Sequence, residues 1–98
     1  MAKNAGVQPE KYFEVRPQYL FRWDASEEAY LLLYPEGIVK LNPTAGEILK
    51  RCTGDRSVGE LIEELTQMFP YVDADVLERS VHTFLEAANA KGWIRSKA

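Results

Sequence analysis

One cysteine, Cys52, and one histidine, His82, stand in a chain of 98 residues. A lone thiol closes no disulfide within the chain, and neither residue has a second Cys or His at metal-ligand spacing. No apolar run approaches the roughly 20 residues that span a bilayer. The opening MAKNAGVQPEKYFEV carries no apolar signal-peptide region. Glycine-rich phosphate loops and nucleophile motifs are also missing. Glu60, Glu63 and Glu64 begin an exposed helical face, where carboxylates suit the helix dipole and solvation rather than acid-base chemistry. The 12 basic residues are scattered among 15 acidic ones, so no stripe can neutralise a row of phosphates. These absences predict a cytoplasmic protein without enzymatic activity, cofactor, metal, nucleic-acid partner or membrane partner.

What is present is a composition that folds. With 46% hydrophobic residues and 28% charged, the chain lies outside the regime that leaves chains disordered, and its length suits one domain. Residues 1–15 are mostly polar, hold Gly6 and Pro9 and show no period, so they read as a flexible tail with Tyr12 and Phe13 able to dock. The single domain is expected over residues 16–98.

Three strands are expected first, within residues 16–41. In VRPQYLFRWD, Tyr19, Phe21 and Trp23 fall on one face and Leu20, Arg22 and Asp24 on the other. ASEE turns the chain into AYLLLYP, and Pro35-Glu36-Gly37 turns it again into GIVKL. The second hairpin does not alternate: Leu31, Leu32 and Leu33 place aliphatic groups on both faces, as do Ile38 and Val39. Something must cover the second face.

At Asn42 the period changes from 2 to 3.6. Asn42 is an N-cap with Pro43 in the first turn, and Ala45, Ile48, Leu49 and Cys52 recur at helical spacing, which makes Cys52 a buried thiol. The first helix is expected over 43–53 with Gly54 as its stop. Ser57 and Glu60 have capping-box spacing and open a second helix over 57–69. Asp73 or Asp75 caps a third over 74–91, stopped by Gly92, after which Trp93 and Ile94 return to the core. On this third helix Leu77, Val81, Phe84, Leu85 and Ala88 form the core stripe. Val76, Ser80, Thr83 and Ala87 form a second stripe of short side chains about a quarter turn away, and Glu78, His82, Glu86 and Asn89 take the polar side.

The result is an α+β domain of winged helix-turn-helix-like type, a three-stranded antiparallel sheet followed by three helices. The third strand is an edge with unpaired main-chain groups. Beside the short stripe of the third helix it would form a trough for one extended peptide. Periodicity alone does not choose between that peptide and a crossing strand, tail or second copy as the cover. DNA binding and structural dimerisation are the competing functions. The third helix offers only Arg79, Asn89 and Lys91 for base reading.

RPQYLFRWD, LLLYPEGIVKLNPTAGEIL, CTGDRSVGELIEEL and KGWI together resemble the PqqD family of pyrroloquinoline quinone biosynthesis over roughly residues 16–95, without departure in these motifs. The resemblance implies a peptide chaperone that binds the ribosomal precursor peptide and delivers it to a radical S-adenosylmethionine enzyme for crosslinking. It also implies strand addition of the leader at the sheet edge against the third helix. The implied contacts are Ile38, Val39, Lys40 and Leu41 on the strand and Val76, Arg79, Ser80, Thr83 and Ala87 on the helix. Arg79 and Lys40 form the rim that would attract acidic side chains. The protein is expected as a monomer or weak homodimer.

Overall fold

The computed structural model describes residues 8–97. Nine elements follow in chain order: β1 (Tyr12–Val15), β2 (Leu20–Asp24), β3 (Ala29–Tyr34), β4 (Gly37–Lys40), α1 (Pro43–Lys50), β5 (Thr53–Ser57), α2 (Val58–Met68), α3 (Ala74–Ala90) and β6 (Ile94–Ser96). The strands make two antiparallel three-stranded sheets, ordered β2-β3-β4 and β5-β1-β6. The α+β class, the N-terminal meander and the three helices agree with the reading from sequence.

Aromatic alternation sets the inner face of the meander. Phe21 stacks on Tyr30 and Trp23 meets Tyr30 edge-on, each with ring centroids 5.0 Å apart. Leu32, fully buried, belongs to the same face, and α1 packs on β3 there. The β2–β3 connection is held by Asp24, whose Oδ1 accepts from the Ser26 and Glu27 amides and the Ser26 hydroxyl. The Ser26 hydroxyl bond first, and then the two amide bonds, lower the Asp24 pKa, with desolvation opposing them.

Helix starts follow their capping residues. Asn42 Oδ1 accepts from the Ala45 amide at 2.8 Å, and Asp73 Oδ1 accepts from Asp75 and Val76. Ser57 and Glu60 close a complete capping box at the start of α2. Leu61 and Leu65 of α2 and Leu77, Val81, Leu85 and Ala88 of α3 turn inward onto one core with Leu32, Ile48, Leu49 and Ile94. Truncating a residue such as Leu85, which has no exposed surface, would cost about 2 to 5 kcal/mol.

Four expectations need correction. The helices do not simply follow one sheet: β5 lies between α1 and α2, β6 follows α3, and both pair with β1 in a second sheet. The tail does not extend to residue 15: Tyr12–Val15 is the central strand of the second sheet and Phe13 is in the core. The amides of Val58, Gly59 and Lys97 donate to the carbonyls of Lys11, Pro9 and Tyr12, so the chain is tied down from Pro9 onward. Residues 1–7 of that tail lie outside the described residues. The first helix stops at Lys50, not 53, because Arg51 and Cys52 donate back to Ile48 and Leu49 and the chain then runs extended to pair with β1. Gly54, read as the helix stop, takes a left-handed φ of 84° within β5. Finally, Phe84 is half-buried at the margin of the core, packed against it rather than within it.

An ion network ties α1, β5 and α2 together. Arg51 Nε reaches Glu64 at 3.0 Å and its Nη1 reaches Glu47 at 2.8 Å, while Arg56 holds the other Glu64 oxygen at 2.6 Å. The Arg56 hydrogen bond above all, joined by that from Arg51, lowers the Glu64 pKa, with desolvation opposing them. Cys52 is buried beside this junction, and its burial pushes the thiol up to about 12.

Candidate peptide-binding site

All five helix residues named from sequence lie on one surface. Val76, Arg79, Ser80, Thr83 and Ala87, with Phe84, line an open groove of ≈ 460 Å³ along α3. Val76 is 47% exposed, a large apolar side chain left facing this groove. Sequence reasoning assigned Phe84 wholly to the core. Its position next to the short stripe was the signal that it forms an inner wall, and its ring lies 6.3 Å from that of Trp93. The Lys91 ammonium stands 5.8 Å from the Trp93 ring centre.

The four strand residues divide into two pairs. β4 is the edge of its sheet, with Lys40 opposite Leu31, Val39 opposite Leu32 and Ile38 opposite Leu33. The Leu41 amide donates to the Tyr30 carbonyl at 3.0 Å. Bonded and non-bonded pairs alternate along an antiparallel ladder, so Val39 exchanges its main-chain bonds with Leu32. Ile38 and Lys40 turn theirs to the free edge. Val39 is half-buried and Leu41 is 5% exposed in the core, while Ile38 is 64% exposed. An added strand would therefore find the N–H and C=O of Ile38 and Lys40, and the side chains of Val39 and Leu41 hold the strand to the body. The groove lining comes from α3 alone and includes no β4 residue.

The second face of the meander is covered unevenly. Leu31 is buried between Arg22 and Lys40 in the cross-strand row, but the next row, Leu20, Leu33 and Ile38, leaves Leu20 59% exposed as well as Ile38. Lys40 is partly engaged, with its ammonium 3.2 Å from Glu27 on the exposed surface. His82 sits on the polar side of α3, 3.7 Å from Glu78. Among the described residues no group of three or more His, Cys, Asp and Glu side chains could hold a metal ion, and no helix is long and apolar enough to cross a membrane.

The fold and this surface define a small α+β domain with a free sheet edge and a helix-lined groove. The family profile of Coenzyme PQQ synthesis protein D (PqqD) matches residues 29–94, and the chain belongs to that family. It is 40% identical over 81 residues to a PqqA binding protein of Azotobacter vinelandii, covering 83% of this chain and 86% of the relative. A PqqA binding protein of Methylococcus capsulatus is 35% identical over 89 residues, 91% of this chain and 92% of the relative. Similarity also extends to the solution structure of the PqqD truncation of Methylobacterium extorquens PqqCD, described as a functional, stand-alone recognition element for ribosomally synthesised and post-translationally modified peptides. That structure has a TM-score of 0.70 and 20% identity, with 91% of this chain and 99% of that one covered, and it supports the fold.

Proposed function

We propose that this protein binds a PqqA-type precursor peptide as an added strand along Ile38 and Lys40, with peptide side chains entering the α3 groove, and carries it to a radical S-adenosylmethionine enzyme in the cytoplasm. The observation that carries the reading is the groove lined by Val76, Arg79, Ser80, Thr83 and Ala87 in a chain that also leaves a strand edge unpaired. The names of the relatives supply the peptide's class.

The energetics assign separate roles to edge and groove. Ile38 and Lys40 provide up to four main-chain bonds, each worth about 0.5 to 1.5 kcal/mol net. Ordering a flexible peptide costs about 2 to 5 kcal/mol. The edge thus fixes register and direction, and apolar burial in the groove supplies the affinity. At about 25 cal/mol per Å², a few hundred Å² of burial gives dissociation constants near micromolar or tighter. An added strand lies beside β4, so it would flank Ile38 and extend the Leu20, Leu33, Ile38 row rather than roof it. The extended row would present protein and peptide together to the enzyme.

Titration of isotope-labelled protein with synthetic PqqA peptide, followed by amide chemical shifts, tests the reading. The largest changes are expected at residues 38–41 and 76–87. Binding that leaves both segments unperturbed would overturn it, and so would an enzyme that crosslinks free PqqA equally well without this protein.

A further inference from the structure

The one charged residue lining the groove is Arg79, in a chain of net charge −3. The carboxylates of α3, Asp75, Glu78 and Glu86, are not part of the lining. A second cation stands just beyond the lining, one turn past Ala87: Phe84 lines the groove, Trp93 packs against Phe84, and the Lys91 ammonium is 5.8 Å from the Trp93 ring centre. At about 100° per residue, Arg79 and Lys91 flank Val76 by about 60° on opposite sides, so one stands on each border of the stripe. Neither makes an ion pair within 4.0 Å among the described residues. Between them Ser80, Thr83 and Ala87 offer only short uncharged side chains.

We infer that the groove selects an extended peptide segment bearing two carboxylate side chains about five or six residues apart, one received by Arg79 and the other by Lys91, with uncharged residues between. The inference rests on the strand-addition reading and adds a specificity to it. Twelve helical steps of about 1.5 Å each separate the Arg79 and Lys91 backbone positions by about 18 Å along the axis. An extended peptide rising about 3.3 Å per residue covers that distance in five or six residues. Exposed charge pairs contribute little affinity one at a time, so their effect is selection of register and a faster encounter. The contact with the Trp93 ring, which packs against groove-lining Phe84, favours Lys91 conformations on that side of the helix.

The test is a charge-swap matrix. Labelled synthetic PqqA peptide, and a set in which each Asp or Glu is changed to Lys in turn, are titrated against the parent, Arg79→Glu and Lys91→Glu at about 50 mM salt, with Arg79→Gln and Lys91→Gln as milder variants. Thermal melts confirm the fold of each. Each reversal should weaken the unmodified peptide by about three- to tenfold. Arg79→Glu should recover with one Lys-substituted peptide and Lys91→Glu with another, the two positions lying five or six residues apart. Rescue of both by the same position, rescue at any other spacing, or no rescue overturns the inference. Lys40→Pro runs in parallel to separate the two ideas. If it abolishes binding while the swaps change nothing, strand addition stands and the two-cation reading falls. If Lys40→Pro binds as the parent does, or the unmodified peptide does not bind at all, the underlying reading has failed and this one with it.

Discussion

The 3.0 Å bond from the Leu41 amide to the Tyr30 carbonyl fixes the phase of the β3–β4 ladder and so decides which residues can receive a strand. A proline at Lys40 removes a donor from the free edge. A proline at Val39 removes one from within the sheet and orphans the Leu32 carbonyl. Lys40→Pro should therefore bind peptide at least several-fold more weakly with a small change in melting temperature. Val39→Pro should lose about 2 to 4 kcal/mol of stability, or roughly 10 °C or more for a domain of this size. Paired melts and peptide titrations check this, and the idea is sunk if Lys40→Pro leaves affinity unchanged.

Filling the groove is the complementary experiment. Ser80 is exposed on the groove floor, so Ser80→Trp should keep the fold, with a melt within a few degrees of the parent, because surface changes usually alter stability by only about 0.5 kcal/mol. The indole would take the volume that peptide side chains need, and affinity should fall at least tenfold. A folded Ser80→Trp that binds PqqA peptide as well as the parent places the binding surface elsewhere.

Gly46 sets helix propensity against packing. In mid-helix, alanine is favoured over glycine by up to about 1 kcal/mol. Here, however, an added Cβ would come within 2.6 Å of Tyr30 Cδ2 and 3.1 Å of Tyr30 Cβ. Tyr30 cannot retreat easily, because Phe21 stacks on it and Trp23 abuts it. Overpacking of about 1 to 3 kcal/mol should win, so Gly46→Ala is expected to melt several degrees below the parent. A higher melting temperature would show that the α1–β3 contact is looser than this geometry.

Much of this was legible in the chain, and the missing parts share a cause. Ser57 with Glu60, the Asn42-Pro43 start and the two stripes of α3 are side-chain signals, and each reappears as a cap or a face. Strand β5, TGDRS, has no apolar alternation. It is held to β1 through the main chain, which residue identity encodes poorly. Gly54 read as a helix stop because the same left-handed backbone serves both contexts. The ladder phase was recoverable in principle. The two-residue loop Pro35-Glu36 makes Tyr34 and Gly37 a bonded pair, and stepping by two reaches Val39 and Leu41. The spacing of Phe84 places it in the core stripe but does not show that it also borders the groove; Trp93, expected to return to the core after Gly92, packs against it just before β6.

Cys52 offers a readout of global opening, and its pH dependence has a definite sign. Burial raises its thiol from 9.0 to about 12, so at pH 8 only about one folded molecule in ten thousand carries the thiolate that reacts with a disulfide reagent. Labelling should be slow in native buffer and should accelerate in Gly46→Ala by the factor that its stability loss dictates. Because the folded value lies above the unfolded one, the contribution of this group to stability is complete below about pH 9. It declines as pH rises from there toward 12, where the unfolded chain releases the proton and the folded chain keeps it. Cys52→Ala lacks that titration, so between pH 8 and pH 10 its melting temperature should fall less than the parent's. Rapid stoichiometric labelling of the parent at pH 8 with an unchanged melt, or parallel pH profiles for parent and variant, would show that the thiol is not sealed in the core.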